Sequence, residues 1–79
     1  MKSLQRFFIA GAGNVGSGLA WALHDIGLEV KGIWNRSPER FEKTSLPQGI
    51  QTFVGYEALG LAQAMQSADV IVIALSDDA

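Results

Sequence analysis

The amino-acid sequence predicts an α/β protein with a doubly wound parallel sheet of about four strands in the order 3-2-1-4. Short apolar segments rich in β-branched residues alternate with segments in which apolar residues recur every three or four positions. A glycine-rich turn, GAGNVG, separates the first apolar segment from the first helical one. Strands that alternate with helices pair in parallel through right-handed crossovers, which gives this fold class.

The first half of the chain contains two predicted strands and one predicted helix. Residues 7–10 (FFIA) form a continuous apolar run, as expected of a strand that is buried on both faces. Residues 14–26 carry apolar side chains at helical spacing, and Gly27 is placed to end this helix. Residues 28–34 are rich in β-branched and aromatic side chains and form the second strand.

The second half repeats the alternation with shorter elements. Residues 37–39 (SPE) are typical of a helix start, with the serine as N-cap and the proline at the first helical position. Residues 51–54 predict a weak third strand, and residues 57–65 predict a helix. Residues 70–75 (VIVIAL) give the clearest strand, and residues 76–78 supply the polar side chains that cap a further helix.

Composition bounds the size and the class of the protein. The chain has 79 residues, of which 48% are hydrophobic and 18% charged, so we expect one globular folding unit. The net charge of −2 argues against a nucleic-acid partner, and the lack of Cys excludes a disulfide scaffold or a Cys-based zinc site. We predict no metal site. No apolar run approaches the about 20 residues of a membrane helix, so we expect a cytoplasmic protein without a membrane partner.

The glycine-rich turn is the strongest functional signal in the chain. Gly11 permits the sharp turn out of the first strand, Gly13 lets a pyrophosphate approach the backbone, and Gly16 lets the helix pack against the sheet. The amides of Asn14 and Val15 then face the phosphates at the positive end of the helix dipole. A strand precedes the motif, a helix follows it, and a second strand comes within about 30 residues, so it predicts dinucleotide binding.

A tight turn that binds nothing is the alternative interpretation of the same three glycines. Their spacing, and their place between a buried strand and an amphipathic helix, favour the binding site. Gly18 lies one turn further along the helix. We expect it to pack against the sheet rather than to contact a ligand.

The end of the second strand favours NADP over NAD. An NAD site has Asp or Glu about 20 residues after the glycine turn to bind the ribose 2′-hydroxyl; positions 34–37 contain no acid. Arg36 instead offers a planar guanidinium to a 2′-phosphate and a flat face to adenine, and Ser37 can donate to the same phosphate. We expect Asn35 to contact the ribose and Arg40 to add charge. Alternatively, Arg36 is only a solvated charge in the loop and Ser37 is only a helix cap.

The residues that follow the fourth strand should border the same site. Ligands of open α/β sheets bind beyond the carboxyl ends of the strands, so we expect Leu75 and Ser76 beside the nicotinamide half of the cofactor. Asp77 and Asp78 are more typical of a helix N-cap than of a catalytic pair. His24 is the single His, falls late in the first helix, and is expected to be structural. No residue of this segment is assigned a catalytic role.

Three blocks, IAGAGNVG, WNRSPE and ADVIVIALSDDA, resemble the N-terminal Rossmann domains of the pyrroline-5-carboxylate reductase and 6-phosphogluconate dehydrogenase group. The closest likeness is to Rossmann-like proteins that carry a C-terminal domain of unknown function. NADP oxidoreductases that use coenzyme F420 are also similar. The resemblance spans nearly the whole chain and implies a Rossmann-type fold. It is specific for the cofactor domain and unspecific for the substrate.

The resemblance also implies roles for single residues. It implies pyrophosphate contacts by Gly11, Gly13, Asn14 and Val15, 2′-phosphate contacts by Asn35, Arg36 and Ser37, and ribose contacts on the nicotinamide side by Leu75 and Ser76. Many relatives have Pro where this chain has Ser76, so the loop there is expected to be freer. Members of the group bind substrate mainly through a helical C-terminal domain that residues 1–79 lack. A homodimer formed through that domain is an expectation of the same kind.

The sequence therefore predicts the NADP(H)-binding domain of an NADP-dependent oxidoreductase that acts on an unknown small molecule. A nucleotide-binding or sensing module without turnover is the alternative, because the fold does not distinguish the two. A nucleoside or flavin site is a weaker third hypothesis, against which the three glycines and Arg36 argue. We also expect residues 1–79 to be the N-terminal fragment of a longer chain, since the apolar fourth strand lacks a following helix.

Overall fold

Four parallel strands form one sheet in the order β3-β2-β1-β4, which confirms the predicted topology. The structure is a computed structural model that describes residues 5–56 and 60–74. Helices lie on both faces of the sheet, as in the Rossmann-type fold that the sequence predicts. Along the described chain the elements are β1 (Arg6–Ala10), α1 (Asn14–Asp25), β2 (Glu29–Asn35), α2 (Glu39–Glu42), β3 (Thr52–Val54), α3 (Leu61–Gln66) and β4 (Val70–Ile73).

The end of α1 confirms the predicted role of Gly27. This glycine has a left-handed backbone with φ 85°. Its N–H donates to the His24 carbonyl, and the N–H of Leu28 donates to the Leu23 carbonyl, each at 3.0 Å. These two bonds satisfy carbonyls at the helix end and turn the chain into β2. None of the described helices has the length and apolar character needed to cross a membrane.

The expected roles of two residues in the helices are wrong, and one predicted helix lies partly outside the described residues. Pro38, not Ser37, occupies the N-cap of α2, and no side chain caps this helix. Gly18 is exposed, and a Cβ built on it would meet no atom within 4 Å, so it does not pack on the sheet. In the described part of the predicted helix over residues 57–65, α3 begins at Leu61; residues 57–59 lie outside the description.

The α1 face of the sheet buries the aliphatic part of the core. Ile9 of β1 and Ile33 of β2 are fully buried and pack with Ala20 and Leu23 of α1. Burial of a side chain of this size contributes about 1.5–3 kcal/mol relative to an exposed one. The contacts fix α1 across β1 and β2, with its first turn at the carboxyl end of the sheet.

The α3 face buries the aromatic part of the core around a glycine. Phe8 and Phe53 are buried, with their ring centroids 5.8 Å apart, and Trp34 belongs to the same cluster. The two phenylalanine rings close over Gly32 of β2, where a Cβ would lie 2.7 Å from the Phe53 ring and 3.0 Å from the Phe8 ring. A side chain at position 32 therefore excludes this packing.

One extra residue in β2 decides the faces on which its side chains lie. Lys31 has no partner in β1, whereas its neighbours on both sides pair in register, so it forms a β-bulge. Val30 and Ile33 pack on the same face although they are three positions apart, which strict alternation does not allow. Beyond the bulge, Trp34 packs on the α3 face and Asn35 lies on the α1 face, beside the glycine turn.

The amino end of the sheet is closed by a charged pair. The Arg6 guanidinium donates to the Asp69 carboxylate at 3.2 Å, and the Arg6 amide donates to it at 2.8 Å. These hydrogen bonds hold the pKa of the Asp69 carboxyl below its ordinary value and raise the pKa of Arg6. The Asp69 amide in turn donates to the Arg6 carbonyl at 2.7 Å, so the pair fixes the start of β4 beside β1.

We expect Gly32→Ala to lower the free energy of unfolding by about 1–3 kcal/mol, because the added methyl group overpacks the space between Phe8 and Phe53. Gly18→Ala is the matched control. It adds the same group to an exposed helical position with open space around it, and should stabilise by about 0.5–1 kcal/mol. Urea denaturation of the two variants and the parent measures both effects. Equal stability of Gly32→Ala and the parent would contradict the packing described for this face.

Candidate functional site

A cavity of about 390 Å³ lies where β1 and β2 end at the same edge of the sheet. It joins the two parts of the predicted site, which are far apart in the sequence. Parallel strands present such an edge to ligands in doubly wound folds. The described residues that line it are Gly11, Gly13, Trp34, Asn35, Arg36, Ser37, Glu39, Arg40, Lys43, Tyr56 and Ala74.

Several of the predicted site residues are not among the described residues that line this cavity. Residues 14–16 form the first turn of α1, directly after the cavity-lining Gly13. Leu75 and Ser76 lie outside the described residues, as do the aspartates that follow them. Ala74, the last described residue before them, does line the cavity. The other residues predicted to contact the cofactor line the cavity.

The three glycines of the turn meet different requirements. Gly11 has φ 122°, which strongly favours glycine, and its N–H donates to the Trp34 carbonyl at 2.6 Å. A Cβ on Gly16 would overlap the carbonyl oxygen of Gly11, so the helix approaches the turn only without a side chain there. Gly13 has φ −75°, and a Cβ on it would meet no atom within 4 Å. The fold itself therefore requires Gly11 and Gly16 but not Gly13.

The first turn of α1 supplies hydrogen-bond donors that the helix does not use. The N–H of Ser17 is the first to bond within the helix, to the Gly13 carbonyl at 2.9 Å. The amides of Asn14 and Val15 precede it and have no acceptor inside the helix. Gly13 is the N-cap, and no side chain of the described residues caps this end. Any contact made here to an anion is made by the backbone, at the positive end of the helix dipole.

Asn35 joins the glycine turn to the loop that follows β2. Its side-chain carbonyl accepts a hydrogen bond from the Ala12 amide at 3.1 Å, and its NH2 group donates to the Ser37 carbonyl at 3.0 Å. Both bonds are partly buried. The prediction that Asn35 contacts a ribose stays a prediction. Its two side-chain bonds in the structure are internal to the protein.

The second wall of the cavity is basic. Arg36, Arg40 and Lys43 line it, and these are three of the six Lys and Arg residues in a chain of net charge −2. The ion pairs among the described residues join Arg6 with Asp69 and Lys31 with Glu29, so none of them uses a cavity cation. Glu39 at the same wall offsets part of the positive charge. The remaining field favours an anionic ligand.

An aromatic pair forms the third wall. Trp34 is 9% exposed, and its indole N–H donates to the Gly55 carbonyl at 2.7 Å. The Tyr56 ring lies with its centroid 5.3 Å from that of Trp34 and is 76% exposed. An exposed ring that is held against a buried one offers a fixed surface for a planar group.

The sequence analysis did not assign five of the cavity-lining residues to the site: Trp34, Glu39, Lys43, Tyr56 and Ala74. Tyr56 follows β3, and the rule that ligands bind beyond the carboxyl ends of parallel strands applies to β3 as well. That rule could have identified the tyrosine. Lys43 lies one turn after Arg40, just past the end of α2, so the helical spacing of the two cations was the available signal.

A comparison with protein families gave one match, which covers most of the chain. The model of the family described as "NADP oxidoreductase coenzyme F420-dependent" matches residues 6–78. No curated protein and no solved structure matched the chain in the corresponding searches. The matched region contains the glycine turn, the loop after β2 and all four strands.

The glycine geometry predicts unequal effects of two matched substitutions on stability. Gly16→Ala should lower the free energy of unfolding by about 3 kcal/mol, because the methyl group overlaps the backbone carbonyl of Gly11. Gly13→Ala should change it by less than about 0.5 kcal/mol, since the methyl group enters the open cavity. Thermal and urea denaturation followed by circular dichroism measures both. A fold that tolerates Gly16→Ala as well as Gly13→Ala would contradict the close approach of α1 to the turn.

Proposed function

The chain belongs to the family of coenzyme F420-dependent NADP oxidoreductases, and on this premise we propose that it binds NADP(H) for hydride transfer by an NADP-dependent enzyme. The nicotinamide ring of the bound cofactor supplies the redox chemistry. This chain holds and orients the dinucleotide toward a small-molecule substrate. The catalytic residues come from outside residues 1–79.

The observation that carries the proposal is that one cavity has the glycine turn on one side and a cluster of cations on the other. NADP has two separate anionic groups, the pyrophosphate and the 2′-phosphate. Backbone amides at a helix start suit the first group, and guanidinium and ammonium groups suit the second. Gly13 fits this assignment, because nothing in the fold requires glycine there and a side chain would enter the space of the ligand.

The proposed contacts follow from this division of the cavity. Gly11, Gly13 and the amides of residues 14–15 hold the pyrophosphate, while Gly16 acts by letting α1 come close. Arg36 and Ser37 hold the 2′-phosphate, with Arg40 and Lys43 adding charge. Leu75 and Ser76, which follow Ala74, line the ribose on the nicotinamide side. Tyr56 and the flat face of Arg36 offer surfaces for the adenine ring.

The preference for NADP over NAD rests on the same cations. Positions 34–37 offer no carboxylate to a ribose 2′-hydroxyl, whereas Arg36 and Ser37 line the cavity directly after β2. Hydrogen bonds between charged groups contribute about 1.5–3 kcal/mol each. Only a cofactor with a 2′-phosphate gains that contribution.

Titration of the full chain with NADPH and NADH tests the proposal. NADPH should bind at least about tenfold more tightly, from the charge-assisted contacts to its 2′-phosphate. Arg36→Glu should remove most of this preference, because the carboxylate repels the phosphate. Lys31→Glu is the charge-matched control, since Lys31 pairs with Glu29 and does not line the cavity. Equal affinities for the two cofactors in the parent protein would overturn the proposed NADP specificity.

We also propose that residues 1–79 are the cofactor-binding part of a longer protein, in which a helix covers the open side of β4. Ile71 and Ile73 are 44% and 72% exposed and lie on the α3 face, where they pair in register with Phe8 and Ala10. A right-handed crossover from β4 to a further parallel strand places its helix on this same face. Two exposed isoleucines on an edge strand are otherwise a surface for association.

Sedimentation of the chain of residues 1–79 tests this second proposal. We expect self-association that weakens when Ile71 and Ile73 are both replaced by Ser, because the apolar strip is then lost. Replacement of the exposed Ile26, which caps the C-terminal end of α1, by Ser is the matched control, since it removes an exposed apolar side chain that does not belong to β4. A compact, cooperative monomer that melts above about 65 °C, beyond the usual range of mesophilic domains, would contradict the proposal.

A further inference from the structure

Two consecutive residues at the end of β2 bond to three of the described loops beside the cavity, those that follow β1, β2 and β3. The Trp34 carbonyl accepts from the Gly11 amide at 2.6 Å, and the Asn35 carbonyl accepts from the Gly55 amide at 3.0 Å. The Asn35 side chain adds the bonds to Ala12 and Ser37. Among these contacts, the Asn35 side chain alone links the glycine turn directly to the loop after β2.

A carboxamide is the group that this position requires. Its oxygen accepts the proton of the Ala12 amide, and its NH2 group donates to the Ser37 carbonyl. A carboxylate accepts but cannot donate, so Asp at this position would set an anion against the Ser37 carbonyl. An aliphatic side chain would leave both backbone groups without these partners. The bond to Ser37 fixes the backbone of the segment that carries Arg36.

A ligand that spans both loops gains affinity when the protein already holds them at the right separation. If the loops move independently, binding must also order them, and part of the interaction free energy is lost. Small errors of position have large effects where several polar contacts must form together. The bonds of Asn35 remove this cost in the free protein.

We propose that Asn35 is a positioning residue that sets the glycine turn and the Arg36–Ser37 segment at the separation that a 2′-phosphorylated dinucleotide requires. The inference rests on the proposed function. It assigns the cofactor preference to an internal amide as well as to the cations that meet the phosphate. The Asn35 side chain acts through its neighbours and need not contact the ligand.

Calorimetric titration of the full-length Asn35→Ala protein with NADPH and NADH tests the inference. Affinity for both cofactors should fall through the freed glycine turn, and NADPH should lose at least about tenfold. The NADPH/NADH affinity ratio should also fall, by at least about threefold, because the Arg36–Ser37 segment is no longer held. An equal loss for both cofactors would instead indicate a direct ribose contact and would overturn the inference. Unchanged affinities with a lower melting temperature would show a structural role only and would also overturn it.

A double-mutant cycle separates positioning from a direct effect. In the Arg36→Ala background, Asn35→Ala should lower the affinity ratio much less than in the parent, since most of its effect on the ratio passes through Arg36. A full reduction in that background would contradict the inference. Asn35→Gln serves as the second variant if the alanine variant folds poorly. It keeps the carboxamide but moves it by one methylene, so it should also lower the NADPH/NADH affinity ratio.

Trp21→Phe is the matched control, because it also removes a bond from a side chain to a loop carbonyl. The Trp21 indole N–H donates to the Ser45 carbonyl at 2.8 Å, and neither residue lines the cavity. Trp21→Phe should leave the affinities for both cofactors unchanged. If it lowered the NADPH/NADH ratio as much as Asn35→Ala does, the inference would be overturned. A parent protein that binds neither cofactor would refute the proposed function together with the inference. A parent that binds NADPH while the Asn35 variants retain its ratio would refute the inference alone.

Discussion

The rest of the structure depends on the close approach of α1 to the turn that leaves β1. Gly16 lies against the Gly11 carbonyl with no space for a methyl group between them. This contact brings the start of α1 to the carboxyl edge of the sheet, where its unused amides and its positive dipole end lie beside the cavity. The same approach lets Ala20 and Leu23 reach the sheet. The core on the α1 face and this side of the cavity therefore both depend on the contact between Gly16 and Gly11.

The shape of the cavity is held by the residues at the end of β2 rather than by the loops around it. Loops are the mobile part of most folds, yet here the described loops after β1, β2 and β3 each have a backbone or side-chain bond to residues 34–35. A strand in the middle of a sheet is among the most rigid elements that a small domain can offer. Groups held by it keep their places before a ligand arrives, which is the condition for selective binding by several polar contacts.

The sequence was sufficient for features that follow from local patterns or from the order of the elements. The turn at Gly11 and the end of α1 at Gly27 follow from patterns within a few residues, and the strand order follows from the alternation of strands and helices along the chain. Each of these is confirmed. The bonds of Asn35 could not be predicted in the same way, because its partner Ala12 lies 23 positions away. Ser37 failed as a helix cap because Pro38 takes the N-cap position, and exposed Gly18 was misjudged because spacing alone does not show which side of a helix faces the sheet.

The bulge at Lys31 is the position at which β2 can change its length. Lys31 is the extra residue between Val30 and Gly32, which pair with consecutive residues of β1. Its deletion would make these two residues direct neighbours and restore strict alternation, so Trp34 would stay on the α3 face and Asn35 on the α1 face. Evolution can therefore shorten β2 by one residue at this position and still keep both cores and the binding edge in register.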